Sequence, residues 1–333
     1  MIRLSPSGLR EYLDRIPTTD LYFLNPLAEL GRMGSDVPRV RHLSANAYLV
    51  GRTGVIVRYG GARDIERLSK AGAEQVVYIA DDDFAAGIAD PGIPESYRLK
   101  LKAFVEGGWP ALKAAADIVI VPGTVLAEIY GAKARIVSPA WDLPPATSDH
   151  FAAQERIEIV HLGTGSHRGD LALLVAPLAS MLERHGRARL TLYAGGAVPG
   201  SLRSHHHLRL RRPRAWWRYK RALPKMRFHL ALYPLAPTAF NRARSANKLF
   251  EHAIVGAASM MSPNPALREA AGDKLGEIFV EGGMDEWAVE IETLIADRSV
   301  LRQRVDQTRA HIIETNPLAR AAEVWREILA PEL

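Results

Sequence analysis

Along the chain, short runs of apolar residues rich in Val and Ile alternate with longer stretches whose apolar positions recur at helical spacing. The alternation is clearest from Gly54 onward. Residues 55–59 predict a strand, Gly60-Gly61 a turn and 62–71 a helix. Residues 75–80 predict a second strand, closed by Asp81-Asp82-Asp83. A helical stretch over 95–115 is broken near Gly107-Gly108, and it is followed by a strand at 117–121, a helix at 124–130 and a strand at 135–137. Before Gly54 the pattern is weaker: 7–16 fits a helix, and 20–24 a short strand ending at Asn25-Pro26. The stretch 139–145, with Pro144-Pro145, reads as a linker.

Beyond it the same grammar resumes. Strands are predicted at 157–162, 188–193, 228–233 and 257–261, with a short one at 277–280. Helices are predicted at 170–185, 215–226 and 246–255, after Pro265, and at 284–296, 299–314 and 317–329. Strands alternating with helices imply parallel sheets with right-handed crossovers. The expected division is a first domain over 1–150, a second over 151–315, and a closing segment 316–333 packed back toward the first.

Composition narrows the class without choosing a function. The 333 residues suffice for two domains, and 47% hydrophobic with 24% charged content is that of a globular protein. Zero cysteines exclude disulfides and thiolate metal sites. The N-terminal stretch lacks an apolar signal core, and no window is long and apolar enough to span a membrane, so a cytoplasmic protein is expected. A net charge of +6 points to an anionic partner.

Four stretches carry candidate chemistry. On a helix over 246–255, Leu249, Phe250, Ala253 and Ile254 gather on one side, while Ser245, Lys248, Glu251 and His252 gather on the other. A helix opening beside Ser, Arg and Lys suits a phosphate, and Glu251 on the same face can accept hydrogen bonds from sugar hydroxyls. An ordinary surface helix with a Lys/Glu pair fits equally well. The turn Gly163-Thr164-Gly165-Ser166-His167-Arg168-Gly169-Asp170 leaves a strand and enters a helix, so its backbone can approach an anion. Its spacing is not the dinucleotide-binding GxGxxG, and a ligand-free turn capped by Asp170 is the plainer alternative. Asp81, Asp82 and Asp83 follow a strand, at the end where open α/β sheets bind ligands; a solvated helix start is the alternative. Finally, 203–227 holds ten Arg or Lys and no acid, with Trp216, Trp217 and Tyr219 among them, suiting an anionic lipid surface before nucleic acid. His205-His206-His207 lacks the spacing of a metal site.

The run Pro234-Leu235, Thr238, Phe240-Asn241, Ser245, Lys248, Glu251 and Gly256 resembles the donor-binding segment of GT-B glycosyltransferases of the retaining group-1 type, in a bacterial, family 4-like branch. The turn at Gly163 and the stretch VVYIADDDF resemble two further segments of that branch. Group-1 enzymes often carry a second Glu, which would fall at Ala243. The resemblance implies an α/β GT-B fold of two Rossmann-like parallel-sheet domains facing a cleft. It implies a glycosyltransferase of surface polysaccharide or glycoconjugate synthesis that needs no cofactor or metal, and the basic segment adds the expectation of a place at the inner face of the cell membrane. The implied donor site comprises Gly163, Thr164, Gly165, His167, Arg168, Asn241, Arg242, Ser245, Lys248 and Glu251. Asp81, Asp82 and Asp83 fall on the acceptor side, with Lys248, Glu251 and Asp82 in catalysis. A nucleotide-sugar and a glycan or lipid-linked acceptor are the implied partners; a sugar-nucleotide epimerase or a non-catalytic module of the same fold are the alternatives.

Overall fold

A computed structural model describes residues 15–145, 149–152, 156–163, 168–193, 198 and 200–330. Thr164, Gly165 and His167, and the helix expected over 7–16 apart from its last two residues, lie outside them.

The first half is a six-stranded sheet in the order β1-β2-β3-β4-β5-β6. Its strands are β1 (Val40–His42), β2 (Ala47–Val50), β3 (Thr53–Val57), β4 (Gln75–Ile79), β5 (Ile118–Val121) and β6 (Ala134–Ile136). β3 to β6 are parallel, as the alternation predicts, whereas β1 and β2 form an antiparallel edge that the sequence pattern did not suggest. Neighbouring strands here are consecutive in the chain, so right-handed crossovers put every connecting helix on one face. Those helices are α1 (Ala62–Lys70), α2 (Phe84–Ala89), α3 (Glu95–Gly107), α4 (Trp109–Ala115) and α5 (Thr124–Tyr130). Ile56, Tyr78, Val119 and Val121 point to them and pack with Leu68, Leu101, Leu112 and Leu126.

The opposite face carries Val55, Val57, Val77, Ile79 and Ile120, and it has to be covered from elsewhere. Two remote segments do so. One is 20–24, expected to be a strand but found as a π-helical turn leading into a helix over Asn25–Arg32. Leu21, Tyr22 and Phe23 are all buried, which a one-sided edge strand would not achieve, and Pro26 sits where a helix start tolerates it. The other is the helix Pro317–Leu329, whose Trp325 packs at a tilt against Phe23 and donates its indole N–H to the Tyr22 carbonyl at 2.8 Å.

The second half is a five-stranded parallel sheet ordered β11-β10-β7-β8-β9. It comprises β7 (Ile157–His161), β8 (Ala188–Leu192), β9 (Leu208–Leu210), β10 (Leu230–Tyr233) and β11 (Ala258–Met261). The order reverses between β7 and β10, so helices cover both faces. α6 (Val175–Arg184) lies on one; α7 (Trp216–Ala222) follows β9; α8 (Asn247–Val255) lies on the other. The strand expected at 277–280 is absent: Gly272–Ile278 is a 3-10 segment, and only Phe279 bridges to Met261. The two halves share one apolar interior, since Val57 and Ile79 belong to the same cluster as Val160, Ala231 and Tyr233. They also touch at two glycines. A Cβ on Gly169 would lie 3.0 Å from the Gly92 carbonyl, and one on Gly87 would meet Phe240 at the same distance.

Candidate active site

In an open parallel sheet, ligands bind beyond the carboxyl ends of the strands where the strand order reverses. Here that point lies between the ends of β7 and β10, at Leu162-Gly163 and Tyr233-Pro234. α8 opens beside it and stops at Gly256, whose φ of 69° is left-handed and suits glycine. Lys248, in its first turn, reaches back to the Leu162 carbonyl at 2.9 Å and pairs with Glu251 Oε2 at 2.6 Å. The fold thus brings Lys248 to the root of the Gly163 turn, from which Arg168 starts a short helix over Arg168–Ala172.

Glu251 is 2% exposed, and both of its oxygens are hydrogen-bonded within the protein. Oε2 also accepts from the Tyr219 hydroxyl at 2.7 Å, and Oε1 from Asn247 Nδ2 at 2.8 Å. Burial, then the neighbouring Glu251 charge, pushes the Tyr219 phenol well above its ordinary range. The expected polar face of this helix is therefore not a surface: Leu249 to Val255 are all buried, because the sheet lies on one side while Leu223–Lys225, the helix Arg298–Thr315 and Tyr219 of α7 close over the rest. His252 is fully buried, and burial followed by the Lys248 charge holds it neutral. Ser245 does not cap α8. The cap position is Ala246, which offers no side-chain bond, and the Ser245 hydroxyl instead lies within reach of Asn247 N–H and the Tyr22 phenol of the first half.

Asn241 and Arg242 part company. Asn241 is buried, donating to Asp170 Oδ1 at 2.6 Å and to the Ala236 carbonyl at 3.0 Å, so it clamps the loop after β10 to the helix after β7. Arg242 is exposed and lines an open, largely apolar cleft of ≈ 930 Å³ together with Leu235, Pro263, Met284 and Trp287.

The three aspartates do three different things. Asp83 caps α2, accepting from Ala86 N–H at 3.0 Å. Asp81 accepts from Thr18 and from Arg58, while Asp82 is held between Arg58 and Arg244, the latter at 3.7 Å across the seam of the two halves. Burial pushes the Asp81 carboxyl up against the opposing pull of Arg58, and its Oδ1 has no hydrogen-bond partner among the described residues. Arg58 achieves this reach from a left-handed backbone, φ 56°, which costs a non-glycine residue about 1 kcal/mol. Its carbonyl is held by the Tyr78 hydroxyl at 3.0 Å. Arg58, Arg244 and Tyr97, whose hydroxyl accepts from Arg58 at 2.7 Å, escaped the sequence pattern, and Tyr219 was read only as part of the basic segment. Arg58 offered only one signal, a charge at the end of an apolar strand. Among the described residues, no group of three or more His, Asp or Glu is placed to hold a metal ion.

No protein-family model matches the chain, and no curated protein matches it. Solved structures do. The chain is similar to TarM of S. aureus at 13% identity and TM-score 0.60, over 82% of this chain and 54% of that one. It is similar to Anabaena HepE, solved with UDP-glucose, at 15% identity and TM-score 0.56, over 83% and 78%. A glycosyltransferase from Rickettsia africae matches at 12% identity and TM-score 0.52, over 83% and 76%. The chain spans about half the length of TarM. At such identities the likeness is one of architecture, and with the two sheets just described it means that this chain has the GT-B fold.

Proposed function

We propose that the chain is a glycosyltransferase, binding a nucleoside-diphosphate sugar at the switch point of the second sheet and passing the sugar to a hydroxyl presented from the first half. The seat of Lys248 carries this: its ammonium rests where β7 gives way to the Gly163 turn, held there by a buried carboxylate. A diphosphate across that turn gains the ammonium, the N-terminal N–H groups of α8 and the nearby Arg244 guanidinium. The turn itself, from Gly163 through Thr164, Gly165 and His167 to Arg168, completes the donor site. These positive charges act on a leaving group whose negative charge grows as the glycosidic bond breaks, so they favour the transition state over the ground state. Fixed protein cations in these positions support a transfer that needs no metal ion. Across the seam, the carboxylates of Asp81 and Asp82, held by Arg58 and Arg244, are the acceptor-side groups that would orient the acceptor hydroxyl or take its proton. Glu251 acts by holding Lys248, Asn247 and Tyr219 in place.

A second reading has one observation in its favour. Ala243, where group-1 enzymes often carry a Glu, is buried in the apolar cluster of the first half, so a binding module that has lost transfer would look the same there. Melting curves with a panel of nucleoside-diphosphate sugars separate the possibilities, since a ligand of the folded state raises the melting point. We expect a rise with at least one sugar nucleotide, its loss in Lys248→Met, and transfer to an added acceptor that survives excess chelator. Binding without transfer or hydrolysis would favour the module; no rise with any nucleotide would sink the donor site.

A further inference from the structure

The basic segment is split by the fold into an inner and an outer face. α7 turns Trp216, Tyr219 and Lys220 inward: Trp216 Nε1 and Lys220 Nζ bond Asp20 Oδ2 at 2.9 and 2.8 Å, and Tyr219 bonds Glu251. The helix is thereby bolted to both halves, and its outer face has a fixed direction. Arg209, Arg211, Arg212, Arg214, Arg218 and Arg221 all lie on the outside, exposed, and none has an acidic partner among the described residues. This is no accident of a short window, because the whole stretch 184–250 contains no Asp or Glu. Protection of a sheet edge accounts only for Arg209, since β9 is the edge strand and the other five cations lie beyond it.

The location matters as much as the charge. Arg211 N–H continues the pairing onto the Leu192 carbonyl at 2.8 Å, at the carboxyl end of β8. Arg211 and Arg214 are close enough to Tyr193 that their charges act on its phenol. Arg211 and Arg214 therefore flank the same rim of the sheet as the Gly163 turn. Apolar groups lie among them: Leu210 is 38% exposed, and half-buried Trp217 has the Arg218 guanidinium 4.9 Å over its ring. With that face covered, Trp217 is a poor platform for stacking a base, whereas an indole beside arginines suits a lipid headgroup layer.

We propose that this outer face docks on an anionic lipid bilayer and holds the rim of the second sheet at the membrane. Resting on the function proposed above, the acceptor is then a hydroxyl carried on a phosphate-bearing lipid, delivered from the bilayer beside the donor.

Sedimentation of the full chain with vesicles of phosphatidylcholine, alone or mixed with phosphatidylglycerol, tests the docking without using any donor. Failure here leaves the donor site standing, and failure of donor binding leaves the docking standing. Binding is expected to the mixed vesicles only, and to weaken as salt screens the charges. At the strength typical of basic residues near an anionic surface, R211A/R212A/R214A should bind about a hundredfold more weakly. A control triple, K70A/K102A/R302A, changes net charge equally on exposed helices elsewhere and should bind as wild type. Circular dichroism confirms that both triples fold. Equal binding to neutral vesicles, equal loss in the control, or preference for a short RNA duplex over the mixed vesicles would each overturn the proposal.

Discussion

Lys248 and Glu251 form a buried ion pair, so a single substitution at either one strands the other. Glu251→Gln should cost about 3 kcal/mol of stability, because an ammonium is left inside without its counter-charge. Lys248→Met should cost a similar amount, yet the double variant Lys248→Met/Glu251→Gln should recover much of it. Turnover should not recover with it, because the cation on the leaving group is gone. Denaturant melts and transfer assays on the three variants check this; recovery of both together would make the pair merely structural. The spacing of Lys248 and Glu251 was legible as one helix turn, as was the closing glycine at 256. Arg58 and Arg244 were not, because each gains its meaning from Asp82, which lies far from both in the chain.

Elements were legible where local pattern and final packing agree. The helices Thr124–Tyr130 and Pro317–Leu329 fall where periodicity puts them. α8 misleads a helical wheel, because Tyr219 of α7 hydrogen-bonds Glu251 and Ser259 of β11 meets His252, which lets both go inside. Likewise 20–24 reads as a strand, since an apolar run buried on all sides carries no periodicity. The short segment after the linker depends on neutral histidines. His229 Nδ1 accepts from Glu158 N–H at 3.0 Å, leaving Nε2 to donate to the His150 carbonyl at 3.1 Å. His150 Nε2 in turn reaches the Phe228 carbonyl at 2.9 Å. Burial lowers both, His229 from 6.5 to about 4. Between those two values the unfolded chain binds a proton that the folded one refuses. Stability should therefore be full above pH 6.5 and fall as pH drops toward 4, by roughly 2 kcal/mol from His229. Melting curves across that window should show the decline, and His229→Gln should flatten it.

At the scale of the whole molecule, two parallel sheets were foreseeable from alternating strands and helices, but the apolar interior they share and the manner of their joining were not. Arg244→Ala should leave Asp82 short of a partner across the seam and lower transfer at least tenfold, while Arg244→Lys, keeping the charge, should restore part of it. A rescue by Lys equal to no rescue at all would remove the charge from the explanation. The helix Pro317–Leu329 binds the halves more deeply still. Truncating fully buried Trp325 to Ala should cost about 3–5 kcal/mol and lower a single melting transition for the entire chain, as calorimetry can show. There is also a consequence in time. Val55, Val77 and Ile120 leave the ribosome early, yet Trp325 and its neighbours, which belong to the same apolar cluster, are made only after the whole second half. Throughout synthesis the growing chain thus carries an oily, half-finished sheet, and a nascent chain stalled before Pro317 should be the form that chaperones and proteases recognise.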